Sequence, residues 1–203
     1  MVKNVSVMNQ SLPSVMLISL ADGDWDGACA RAGWQVKRAE SPAEAQALLA
    51  AVFAVVVVGD WPHVATLRAQ EVGATVPILH VVTDDRGTPD PLVDGMAHSP
   101  ATAIATLGQW CPSQRAATLA RLRHMFGASE IDALLTGLRR SLAEAIARSE
   151  ASIEVAHRIA GIAGTLGFAD VGAAWLRLAE GDMIALPAAR RAALRAIAIL
   201  DDG

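Results

Sequence analysis

The sequence predicts two architectures in one chain: an α/β half built on a parallel sheet, then an all-α half forming an antiparallel helical bundle. Three observations point there. Strand-like and helix-like stretches alternate between residues 14 and 108. Val52 to Val58 is an unbroken Val-rich apolar run, typical of a central parallel strand covered on both faces. After Cys111-Pro112-Ser113 no strand signal returns, and apolar residues recur at helical spacing.

Taken in order, residues 1–13 read as a loose tail and 14–111 as the α/β domain. Ser14 to Leu20 is a short apolar strand, Asp24 to Ala32 a short helix closed by Gly33, and Trp34 to Ala39 a second strand. Ser41-Pro42 reads as a cap with proline at the first helical position, opening a helix through Ala50. Val52 to Val58 is the third strand, Val64 to Glu71 a helix, and Pro77 to Thr83 the fourth strand. A Gly/Pro/Asp-rich loop from Asp84 to Asp94 precedes a weak last element, Ala101 to Leu107.

Residues 112–203 form the helical domain. Ser113 is expected to cap a first helix through Met125. Ser129 and Asp132 resemble a capping box that opens a second helix. Its stripe is Ile131, Leu134, Leu135, Leu138, Leu142 and Ile146. A third helix runs from near Ser149 to Leu166 and stops at Gly167. A fourth sets Val171, Ala174, Trp175 and Leu178 on one face, and Pro187 opens a last one to about Leu200. Short links between amphipathic helices make antiparallel neighbours.

Composition narrows the function. The 203 residues carry a net charge of −4, with 15 Arg but only two Lys, Lys3 and Lys37. A net acidic chain without a basic stripe argues against nucleic acid as a partner. The longest apolar run, Leu48 to Val58, is shorter than the roughly 18 residues that suggest a membrane span, so no membrane partner is expected. Cys29 and Cys111 have no metal-ligand or disulfide pattern and read as free thiols of a reducing, cytoplasmic setting. There is no Gly-rich phosphate loop and no Ser/His/Asp order to support an enzyme on the α/β half.

The chemistry concentrates on the third helix. At about 100° per residue, Val155, Ile159, Ile162, Ala163 and Leu166 share a core face, and His157 points directly away from it. Gly161 and Gly164 fall within about 40° of His157 on either side, and Ile153 lies a turn before it at a similar angle. Each helix-interior glycine costs about 1 kcal/mol against alanine. Two beside one histidine, in a chain that otherwise uses Ala, predict access to the ring. An exposed imidazole is largely neutral and nucleophilic near pH 7.

The run Ala156-His157-Arg158-Ile159-Ala160-Gly161-Ile162-Ala163-Gly164-Thr165-Leu166-Gly167 resembles the signature of histidine-containing phosphotransfer (HPt) domains. In that family the pattern is Ala-His-x-Leu-Lys-Gly-x-Ala-x-x-Leu-Gly. His157, Gly161, Ala163, Leu166 and Gly167 match, Ile159 substitutes closely, and the likeness extends over about residues 114 to 203. The resemblance implies an antiparallel four-helix bundle with His157 as phospho-acceptor. Ile153, Arg158, Ala160, Gly161 and Gly164 would then form the access and docking surface. The family usually has Lys three residues after the histidine. Here it is Ala160, and Arg158 lies about 100° round the helix.

The α/β half resembles a response-regulator receiver domain in element order, length and its Thr-ending fourth strand, which implies a flavodoxin-like sheet. The family's phosphorylation site is incomplete. The acids of Ser19-Leu20-Ala21-Asp22-Gly23-Asp24 are out of register, and Asp60 sits about two residues closer to Pro62 than an acceptor would. Thr83 fits, no Lys follows Lys37, and Arg86 lies in a loop. Phosphoryl transfer to Asp needs a carboxylate-held divalent cation and a cation on the phosphoryl oxygens. A pseudo-receiver that takes up no phosphate is expected. It would regulate access, localise the protein or help it form a homodimer.

Together the resemblances imply a phosphorelay intermediate. Its partners would be receiver domains of a hybrid histidine kinase or a response regulator. No cofactor is expected on this chain, the divalent metal residing on the partner receiver. The alternative is a non-phosphorylated adaptor with both folds degenerate, which Ala160 favours.

Overall fold

The computed structural model describes residues 12–20, 23–49, 55–59, 62–82, 90–148 and 152–202. Among them, β1 (Ser14–Ile18), β2 (Gln35–Ala39), β3 (Val55–Val58), β4 (Ile78–Val81) and β5 (Gly95–Ala97) form one all-parallel sheet in the order β2-β1-β3-β4-β5. Alternation along the strands divides the apolar residues between two layers. Met16, Ile18, Val56 and Val58 pack with Ala45 and Leu49 of α2 (Pro42–Leu49), and with Leu67 of α3 (Val64–Arg68). Val15, Leu17, Val57 and Leu79 face the other way, onto α1 (Trp25–Arg31) and α5 (Pro100–Leu107). Ser41 caps α2 as expected, its Oγ accepting from the Glu44 N–H at 3.2 Å.

Two local expectations fail for physical reasons. The single helix expected over 64–71 is two short ones, α3 and α4 (Glu71–Thr75). The chain turns back so tightly that a Cβ on Gly73 would stand 1.8 Å from the Leu67 carbonyl oxygen. Arg68 holds the turn by donating to the carbonyls of Gly73 (2.9 Å) and Val76 (2.6 Å). The three-residue β5 was not expected. Gly-Met-Ala carries no β signature, and the strand exists because β4 offers it a partner edge.

Among the described residues the second half holds only helices: α6 (Pro112–Phe126), α7 (Ala128–Ala147), α8 (Ile153–Thr165), α9 (Ala169–Ala179) and α10 (Leu186–Asp201). α7, α8, α9 and α10 pack in a cycle, each on the next, and α6 lies on α7. Trp175, Phe168, Leu138 and Leu142 are its largest fully buried side chains. Ser113 and Ser129 are not caps. Pro112 opens α6 directly after Cys111, and α7 starts from Gly127, whose φ of +95° puts it in the region glycine favours. Leu134 leaves the expected core stripe and is 50% exposed.

The halves are joined by a buried charge cluster. The Asp94 side chain, only 3% exposed, precedes β5 and accepts from Arg68 Nη2 at 2.6 Å, the Ile78 N–H at 2.9 Å and Arg191 Nε of α10 at 2.9 Å. Arg191 also donates to the Val93 carbonyl (3.0 Å), and Arg195 to the Thr75 carbonyl (2.7 Å) and Asp170 (3.0 Å). Burial pushes the Arg68 guanidinium down to about 10, with the Asp94 charge opposing. Three cations and two carboxylates are thus desolvated together across the seam.

A weaker tie closes the helical cycle, where Arg139 of α7 hydrogen-bonds Asp201 at the end of α10. That hydrogen bond holds the Asp201 carboxyl below its ordinary value. A carboxyl depressed in the folded state contributes stability above its unfolded value, about 4, and loses it as pH falls through the folded value. Asp201→Asn should therefore flatten the fall in melting temperature between about pH 5 and pH 2. Melting curves across that range check it, and a slope equal to that of the parent chain would assign the acid loss elsewhere.

Candidate functional site

α8 presents the residues singled out by the sequence. Its first turn is capped by Ser152, whose Oγ accepts from the Val155 N–H at 3.2 Å. Ser149, where the helix was expected to begin, lies outside the described residues. Ala156, Ile159, Ala160 and Ala163 form the buried face, and Gly167, at φ +85°, ends the helix. His157 is exposed with both halves of the chain in place. Among the described residues nothing hydrogen-bonds or ion-pairs with its ring.

Ile153, one turn before His157, is 63% exposed. Gly161 and Gly164, on the following turns, are also exposed, and a Cβ built on either meets nothing within 4 Å. The chain's own packing therefore does not require these glycines. Gly172 of α9 differs, since its Cβ would lie 3.2 Å from the Gly164 backbone and 3.3 Å from the Ala160 carbonyl oxygen. That close approach of α9 corrects one expectation. Ala160 is only 9% exposed and packs in the core, so it is not part of the accessible surface.

Arg158 is exposed and turns to the other side. With Ile162 it lines a groove of about 450 Å³ against Leu134, Gly137, Arg140, Ser141 and Glu144 of α7. The sequence reading missed this groove because it placed Leu134 in the core. The available signal was Gly137, a glycine inside a 20-residue helix whose missing Cβ would also meet open space.

The α/β half contributes little that can be placed. Asp22, Asp60, Thr83 and Arg86 lie outside the described residues. Asp24 caps α1 through the Gly27 N–H (3.1 Å) and pairs with Arg31 at 2.8 Å. No group of three or more His, Cys, Asp or Glu residues is arranged to hold a metal ion among the described residues. No helix among them is long and apolar enough to cross a membrane.

No protein-family model matches the chain, and neither does any curated protein or solved structure.

The glycines give a direct stability test. Gly161→Ala and Gly164→Ala should each stabilise the fold by about 0.5–1 kcal/mol, because alanine favours helix and meets no obstacle. Gly172→Ala should destabilise it by about 1–3 kcal/mol, because backbone must give way. Chemical denaturation of the three variants measures both signs. A loss of stability at 161 or 164 would mean those positions serve the chain's own packing.

Proposed function

We propose that residues 112–203 form an HPt-like four-helix bundle whose His157 accepts a phosphoryl group from the aspartate of a partner receiver and passes it to another. The observation that carries this reading is the exposed imidazole on a ridge with open space at Gly161 and Gly164. An imidazole nitrogen forms the N–P bond with its lone pair. The O–P bond of the partner's aspartyl phosphate breaks, and its electron pair stays on the carboxylate. The partner supplies the divalent cation, and this chain supplies a positioned nucleophile and a surface to dock on. Ile153, one turn before the ring, offers an exposed apolar contact, and the groove lined by Arg158 and Ile162 extends the surface on the other side of the helix.

The sheet half is read as a flavodoxin-like pseudo-receiver. Its strand order, β2-β1-β3-β4-β5, is the doubly wound order expected of that fold. Asp24 supports the loss of phosphorylation, since its carboxylate is committed to a helix cap and to Arg31.

The test mixes the full chain with several phosphorylated receiver domains and magnesium. Acid-labile, alkali-stable phosphate on this chain is the expected result. The adaptor reading draws on Ala160, a buried alanine at the position where the family it resembles usually carries a lysine. It predicts a receiver complex that forms without transfer of label.

A further inference from the structure

The seam between the halves encloses a cleft of about 340 Å³. Val72, Val76 and Pro77, on α4 and the link to β4, form one wall, and Phe168 and Ile199 of the helical half form the other. Val72 and Ile199 are 48% and 39% exposed, so apolar surface continues to solvent. The volume lies at the lower end of the range for small-molecule sites, which combine apolar walls with a few convergent polar groups.

The polar groups here are unevenly satisfied. Arg195 is committed to the Thr75 carbonyl and to Asp170. Arg115 is not committed: its guanidinium stands 5.3 Å over the Phe168 ring, and among the described residues it has no hydrogen bond or ion pair. Burial holds that guanidinium below its ordinary value, with the Asp170 charge opposing. Trp110, 7% exposed, adds to the wall of the same cleft. Thr75 and Asp170 also line the cleft, but the Asp170 carboxylate is held by Arg195, which leaves Arg115 as a half-buried cation with no hydrogen-bonded counter-charge among the described residues. Beside mainly apolar walls it is the counterpart of an anion with a hydrocarbon body.

We propose that this cleft binds a small apolar carboxylate, its charged end on Arg115 and its hydrocarbon between Val76 and Ile199. The site stands apart from His157 and does not rest on the phosphotransfer reading. Because both halves supply its walls, a bound molecule stabilises their junction and raises the melting temperature.

Decanoate, kept below its micellar concentration, is the probe, with decanol as its uncharged counterpart. Calorimetric titration of the full chain should give saturable one-to-one binding of decanoate, with decanol at least about tenfold weaker. Arg115→Gln should lose about tenfold for decanoate and leave decanol unchanged. Ala198→Trp, which fills the cleft from α10, should lose both. Absent or non-saturating decanoate binding, or equal affinity in wild type and Arg115→Gln, would overturn the proposal. Should Arg115→Gln fail to fold, unaltered decanoate binding by Ala198→Trp overturns it.

Discussion

Replacing His157 with Gln is expected to bring phosphoryl uptake from a phosphorylated receiver to background and to leave the fold unchanged. Gln keeps a polar side chain of similar reach but has no nitrogen lone pair able to form the N–P bond. The native ring is exposed and has no partner among the described residues, so stability should stay within about 0.5 kcal/mol of the parent. Radiolabel transfer, read alongside a denaturation curve, separates loss of the acceptor from loss of the fold. Undiminished acid-labile label on the variant would move the acceptor to another residue and defeat the relay reading. Gly161→Ala and Gly164→Ala complete the experiment. Each should slow transfer while stabilising the chain, an opposition that a purely structural role for the glycines does not produce.

Asp94→Ala should have the largest effect on stability, a loss of about 3–5 kcal/mol. The carboxylate is almost fully buried and is shared by Arg68 and Arg191, with Arg195 3.8 Å away. Removing it leaves Arg68, 8% exposed, in a low-dielectric site without its counter-charge. It also strips the Ile78 N–H of its acceptor. A domain of this size has only about 5–15 kcal/mol in total, so the variant should melt far below the parent. Arg191→Met should cost less, because Asp94 keeps Arg68. Asp26→Asn, which breaks an exposed pair with Arg38, should cost at most about 1 kcal/mol. Calorimetry orders the three, and a loss at Asp94 no larger than at Asp26 would show that the cluster is solvated.

Pattern in the chain carried much of the architecture. The Val-rich strand was legible because a strand covered on both faces is a continuous β-branched run, and the helical stripes because burial of one face demands period 3.6. The exposure of His157 followed from the same arithmetic. β5 was illegible, since three small residues become a strand only when β4 presents an edge. Ala160 was misjudged because phase on one helix does not reveal how near a second comes, and Gly172 lets α9 come close. The charge cluster was hidden for a similar reason. Asp94 and Arg191 are 97 residues apart, and no local spacing brings them together. The excess of Arg over Lys was visible, but its use in forked contacts to buried carboxylate and carbonyl oxygens was not.

That cluster constrains how such a chain can be inherited. Cutting between residues 111 and 112 would leave Arg191 and Arg195 on a severed surface, facing no carboxylate from the other fragment. Asp94 would keep Arg68 but lose Arg191 and Arg195, its partners from α10. Recombination that trades either portion for a foreign one meets the same mismatch unless the newcomer brings matching charges. The two segments are therefore expected to travel through evolution as one cassette, with changes at Asp94 and Arg191 made in concert.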